Sequence, residues 1–131
     1  MKFNNVYVVD DDKIQHFIIK KLLEKNNIQT NASFFENGQD ALNDLQFKLN
    51  QNENLPDLIF LDINMPVLDG WQFLEEFNQI KATFSKEIVI YMVSSSEDYF
   101  NADRLQRYSA LITEYLVKPM TSEVIKKIFI E

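Results

Sequence analysis

Residues 58–70 read LIFLDINMPVLDG. The first four are apolar without interruption, the pattern of a strand covered on both faces. Asp62 stands where that run ends. Pro66, Asp69 and Gly70 mark a turn. From Trp71 onward, Phe73, Leu74, Phe77 and Ile80 recur at helical spacing. A buried strand therefore carries one acid to the edge of a sheet and then gives way to a helix. The purpose of that acid has to be read from the rest of the chain.

The same strand-then-helix pattern repeats on both sides. Upstream, Val6–Val9 is a short apolar run rich in β-branched residues that ends in Asp10, Asp11 and Asp12. A helical pattern follows from Lys13 through Ile14, Phe17, Ile18, Leu22 and Leu23, and fades at Asn26-Asn27. Thr30–Phe35 is a second, weaker strand. Asn37 suits a helix N-cap, with Asp40 three residues on. The helix it opens has Ala41, Leu42, Leu45 and Leu49 on its apolar face, and Asn50–Pro56 reads as a polar loop. Downstream, Ile88–Val93 is a fourth strand ending in Ser94-Ser95-Ser96. Glu97–Tyr108 is a polar helix with little apolar face and is expected to pack loosely. Ile112–Val117 is a fifth strand ending at Lys118-Pro119. Thr121 can cap a last helix, with Glu123 in its first turn and Val124, Ile125, Ile128 and Phe129 facing inward. Five βα units in succession predict an α/β fold, a parallel sheet with helices on both faces and right-handed crossovers.

With 131 residues the chain has material for one core. A single domain over 1–131, with no output domain after the fifth helix, is expected. The absence of cysteine excludes disulfides and thiolate metal sites and favours a cytoplasmic setting. No apolar run approaches the length of a membrane span, and the acidic start is unlike a signal peptide, so no membrane insertion is expected. A net charge of −7 opposes non-specific binding to phosphate backbones, so no direct nucleic-acid partner is expected.

Ligands of open α/β sheets bind beyond the carboxyl ends of the strands. Asp10 and Asp11 stand there after strand 1, Asp62 after strand 3, Ser94 after strand 4 and Lys118 after strand 5. If strands 1 and 3 are neighbours, the three aspartates converge. Two carboxylates about 5 Å apart repel by roughly 3 kcal/mol at an effective dielectric of 20, and one lysine offsets only part of that. Stability alone does not group such residues, whereas a hard divalent cation does. Magnesium commonly sits on one or two carboxylates plus phosphate oxygens. The spacing is not that of an EF-hand, which disfavours calcium. Carboxylates also act as nucleophiles that form acyl phosphates. The charge developing on a phosphoryl group is stabilised by a metal, a cation such as Lys118 and a hydroxyl such as Ser94.

The set VVDDD (Val8–Asp12), LDINMPVLDG (Leu61–Gly70), VSS (Val93–Ser95) and YLVKP (Tyr115–Pro119) resembles the receiver domain of bacterial two-component response regulators, and the resemblance spans essentially the whole chain. It implies a flavodoxin-like (βα)5 three-layer sandwich with strand order 2-1-3-4-5. It also implies that Asp62 accepts a phosphoryl group from a histidine kinase. Asp11 would ligate magnesium, or manganese in its place, with Asp10 helping directly or through water, Asp62 completing the acidic set and Asn64 contributing its backbone carbonyl. Ser94 and Lys118 would contact the phosphoryl oxygens, and the Lys118-Pro119 bond would be cis. Tyr115 falls at the family's switch-aromatic position, paired in function with Ser94. The implied partners are a sensor histidine kinase or a histidine phosphotransfer protein, and a downstream effector bound through the face made by helix 4, strand 5 and helix 5. Tyr99, Phe100, Arg104 and Tyr108 are candidate contacts on that face. Asn64 and Ser96 lie where the family tunes the lifetime of the phosphoryl group.

Other readings fit the residues less well. A phosphohydrolase would need an acid two residues after its nucleophile, where this chain has Asn64. A flavin carrier would need a hydroxyl- and Gly-rich phosphate loop after strand 1, where three aspartates would repel the flavin phosphate. The chain is therefore read as a phosphorylation switch, not a turnover enzyme, with a phosphoryl shuttle to a histidine phosphotransfer protein as the alternative. Asp12 is expected to serve the helix N-terminus and not a metal. His16 is expected on the exposed side of helix 1, and Trp71 as a partly buried helix residue.

Overall fold

The computed structural model describes residues 3–51, 54–84, 86–95 and 102–130. One sheet of five parallel strands holds β1 (Asn5–Val9), β2 (Asn31–Phe35), β3 (Leu58–Asp62), β4 (Val89–Ser94) and β5 (Glu114–Val117). They lie in the order β2-β1-β3-β4-β5. The helices are α1 (Lys13–Lys25), α2 (Gly38–Gln51), α3 (Gly70–Ile80), α4 (Ala102–Tyr108) and α5 (Ser122–Phe129). This is the flavodoxin-like arrangement, with the order reversing between β1 and β3.

Strand alternation sorts the core into two halves. Val6 and Val8 of β1 and Leu58 and Phe60 of β3 face α1 and α5, where they meet Ile19, Leu23, Ile125, Ile128 and Phe129. Tyr7, Val9, Ile59 and Leu61 face the opposite way, onto Leu42 and Leu45 of α2 and Phe73, Leu74 and Phe77 of α3. All five residues of β3 are buried, as the unbroken apolar run requires. Tyr7 is wholly buried, and its hydroxyl bonds to Asp44 of α2. Burial and that carboxylate push the phenol well above its usual range.

Helix starts follow the chemistry of the sequence. Asp12 caps α1 by accepting from the Ile14 N–H at 2.9 Å, the role expected of it. Asn37 accepts from the Asp40 N–H at 2.8 Å. Asp69 and Gln72 form a reciprocal capping box at α3. Thr121 caps α5 through the Val124 N–H.

Several expectations need correction. Ile14 and Phe17 do not face the core: they are 66% and 60% exposed, and Ile19 and Leu23 are the buried pair. At about 100° per residue, Phe17 lies roughly opposite Ile19. Helix α2 runs to Gln51, so the loop before β3 is shorter than expected, and Leu55 within it is buried. A 3₁₀ turn at Lys81–Thr83 extends α3. The expected helix from Glu97 is described only from Ala102, and Tyr99, Phe100 and Ser96 lie outside the described residues. Tyr108 is not an exposed contact. It is buried, stacks on Trp71 at 5.9 Å and donates to Glu75 at 2.6 Å. The last turn of α4 is therefore pinned on α3 through Tyr108, while Asp103, Arg104, Gln106 and Arg107 are exposed, in keeping with the loose packing expected of this helix. Trp71 is buried to 5% exposure rather than partly so. Among the described residues no helix is long and apolar enough to cross a membrane.

Candidate functional site

Each acid is delivered by backbone pairing. Asp10 follows directly on Val9, and its N–H donates to Phe35 of β2 at 2.9 Å, extending the β1–β2 pairing past the end of the strand. Its Oδ1 accepts the Asp12 N–H at 2.9 Å, an Asx-turn that swings the chain into α1. Asp62 closes β3 opposite Val93. The return of the chain behind it depends on Gly70. The Gly70 N–H donates to Ile63 at 2.7 Å, and a Cβ at this position would lie 2.4 Å from the Asp62 carbonyl oxygen. The turn between them is tight: the Leu68 N–H reaches back to Pro66 at 2.7 Å, and Val67 is held at φ 69°.

These backbones bring three carboxylates together. Asp10, Asp11 and Asp62 each offer an oxygen within 4.8 Å of the others. Asp10 and Asp62 are buried to 4% exposure, while Asp11 is exposed. From β5, Lys118 sets its Nζ 2.9 Å from Asp10 Oδ2 and 3.3 Å from Asp62 Oδ1. Its own backbone N–H donates to the Ser94 carbonyl at 2.8 Å, and the Lys118–Pro119 peptide is cis. Ser94 ends β4 at 1% exposure, and its Oγ makes no hydrogen bond among the described residues. Tyr115 lies on β5 beside Met92, its ring half-buried against the core on the α2–α3 side. Asn64 is exposed in the bend after β3.

The electrostatics of this pocket oppose a full set of charges. Burial, then the charge of Asp10, push the Asp62 carboxyl up to about 7, with Asp11 adding to the rise and Lys118 pulling the other way. Burial also works against the Lys118 charge, but Asp10 and Asp62 outweigh it and hold the ammonium above its ordinary value. An all-oxygen donor set of close, partly uncompensated acids is suited to a hard divalent cation. The buried, unbonded Ser94 hydroxyl is a ready donor toward an incoming anionic group.

One neighbour of the site was misjudged from sequence. His16 is half-buried, with Nε2 2.7 Å from the Asp10 carbonyl oxygen and its ring 5.2 Å from that of Phe34. A signal for this existed: helical side chains lean toward the N-terminus, so a residue one turn in can reach the preceding strand end.

The chain is similar to known proteins over nearly its whole length. Residues 6–130 match the family model described as the response regulator receiver domain. The chemotaxis protein CheY of Bacillus subtilis (strain 168) is 30% identical over 120 residues, covering 92% of this chain and 89% of the relative. The hybrid signal transduction histidine kinase L of Dictyostelium discoideum is 32% identical over 94% of this chain, which spans only 7% of that protein. A two-component response regulator from Cytophaga hutchinsonii superposes with a TM-score of 0.82 at 24% identity, covering 98% of this chain and 96% of that one.

Proposed function

The chain belongs to the response regulator receiver domain family, and on that premise we propose that it is a phosphorylation switch whose acceptor is Asp62. The observation that carries this reading is the convergence of Asp62 with Asp10, Asp11 and Lys118 at the one place where the strand order reverses. A carboxylate oxygen of Asp62 attacks the phosphorus of a phosphohistidine. A P–O bond forms, the P–N bond breaks, and the departing imidazole takes up a proton.

Asp10, Asp11 and Asp62, with the Asn64 carbonyl, would hold magnesium or manganese. When bound, the cation supplies charge neutralisation at the phosphoryl oxygens. Lys118 already touches Asp62 and would follow the new phosphoryl charge. The Ser94 hydroxyl, with no partner to give up among the described residues, would turn its proton toward a phosphoryl oxygen. Ser94 ends β4 and Tyr115 lies beside that strand on β5, so movement at Ser94 would pass to the face of α4, β5 and α5. That face would then distinguish an effector protein in the two states. The chain's chemistry is one transfer to itself and its reversal, not turnover of an external substrate.

The alternative, a shuttle that hands the group on to a histidine phosphotransfer protein, is supported by the likeness to a hybrid histidine kinase. It uses the same residues. Rapid loss of label from Asp62 to a purified phosphotransfer protein marks the shuttle, and phosphorylation-dependent effector capture marks the switch.

The test of the acceptor is mass spectrometry after incubation with a small-molecule phosphodonor and magnesium. The wild type is expected to gain one phosphoryl group that hydroxylamine removes, and Asp62→Asn is expected to gain none. Equal uptake by Asp62→Asn would overturn the assignment.

A further inference from the structure

We propose that His16 is a positioning residue for the acidic cluster: it fixes the Asp10–Asp11 peptide and thereby aims the Asp11 carboxylate at Asp62. The proposal rests on the reading of Asp10, Asp11 and Asp62 as a cation site.

Asp10 is anchored at every polar atom it has. Its N–H goes to Phe35, Oδ1 receives the Asp12 N–H, Oδ2 receives Lys118, and its carbonyl oxygen lies 2.7 Å from His16 Nε2. Asp11 differs. It is exposed, and no hydrogen bond or ion pair holds its side chain among the described residues. Its position therefore depends on the backbone that carries it. The carbonyl of Asp10 and the N–H of Asp11 share one planar peptide unit. A group that pins the carbonyl sets the direction in which the next Cα, and with it the Asp11 side chain, leaves the strand.

Among the described residues His16 is the group that pins it. A carbonyl oxygen only accepts, so the contact requires a proton on Nε2. The imidazole cannot swing away freely, because its ring packs against Phe34 of β2. The backbone N–H of the same residue bonds the Asp12 carbonyl at 3.3 Å. His16 thus holds the carbonyls on both sides of Asp11, one with its side chain and one with its backbone. An orienting partner outside the ligand set can be worth about tenfold or more in metal affinity.

The experiment is magnesium titration by calorimetry of the wild type, Asp11→Asn, His16→Phe and His16→Gln. His16→Phe keeps a ring against Phe34 and loses the donor. His16→Gln loses the ring and places an amide N–H as many bonds from the backbone as Nε2. Binding is expected to weaken about tenfold in His16→Phe and to recover to within about twofold in His16→Gln. If Asp11→Asn weakens binding but His16→Phe does not, or if Gln is as weak as Phe, the positioning role is overturned while the cation site stands. If the wild type and Asp11→Asn bind alike, the cation site fails and this inference fails with it. The ¹⁵N imidazole spectrum of the wild type adds a check that needs no variant. A proton on Nε2 is expected, and a neutral ring protonated at Nδ1 overturns the proposal.

Discussion

Asp62 carries a charge that the folded chain resists. Its folded value of about 7 lies above the ordinary 3.8, so the native state binds a proton that the unfolded chain has released. With the folded value raised, this group's contribution to stability falls as pH climbs from about 4 through 7. Asp62→Asn removes the charge and keeps the shape. In metal-free buffer at pH 8 it is expected to raise unfolding stability by about 1–2 kcal/mol, a fraction of the repulsion between close carboxylates that remains after Lys118 is counted. Urea denaturation checks this, and a lower midpoint for the variant would contradict it. Gly70 answers to sterics instead. Its missing Cβ would meet the backbone of Asp62 and Ile63 at 2.4 and 2.9 Å, and backbone cannot rotate aside. Gly70→Ala is expected to cost about 2–4 kcal/mol in the same assay, with phosphoryl uptake lost in whatever fraction stays folded. The residue types here were legible: acid, hydroxyl and lysine at strand ends. The close approach at Gly70 was not, because the sequence shows a turn glycine and only the folded chain shows what lies behind it.

At the scale of the element, the last turn of α4 is held by a small aromatic cluster. Tyr108 lies parallel to Trp71 with 27° between the rings, its hydroxyl bonds Glu75, and the Arg104 guanidinium carbon sits 5.9 Å from the Trp71 ring centre. Tyr108→Phe keeps the stack and frees Glu75 to water, so its cost is expected to be about 1 kcal/mol. Tyr108→Ala removes the stack as well and is expected to cost about 3 kcal/mol, with a red shift in Trp71 emission as the indole meets solvent. An unchanged spectrum in Tyr108→Ala would show that Tyr108 does not cover Trp71. This dock lay beyond sequence reasoning for a physical reason. Glu97–Tyr108 carries too little apolar surface to declare a buried face, and Tyr108 on a polar helix reads as exposed until a partner from α3 is known. Helix α1 failed differently. Its apolar residues are plentiful and lie on more than one side; spacing puts Phe17 roughly opposite Ile19, and packing against the sheet decides which side is buried.

For the whole molecule, one carboxylate at the end remote from the site ties the sheet together. Asp57 precedes β3, accepts from the backbone N–H groups of Asn4 and Asn5 at 2.9 Å each, and pairs with Lys86 at 2.7 Å. Burial alone would raise its pKa, but the Lys86 bond and the two backbone donors prevail and hold it below the ordinary 3.8. A depressed folded value means stability that is present above the unfolded pKa and lost as pH falls through the folded one. Asp57→Asn is expected to cost about 1 kcal/mol at neutral pH, and the gap from wild type should close below about pH 4. A gap independent of pH would contradict the ionic part of this account. Sequence by itself determined the architecture and the chemistry of the strand ends. Strand and helix periodicities are local, βα alternation leaves few parallel topologies, and the carboxyl edge of such a sheet collects whatever follows each strand. Tertiary structure alone decided that Lys118 bridges Asp10 and Asp62, that Ser94 Oγ is buried at the end of β4, that His16 reaches back to the Asp10 carbonyl and that Tyr108 closes on Trp71. Each of these depends on the angle at which one element meets another, and spacing along a chain does not carry that angle.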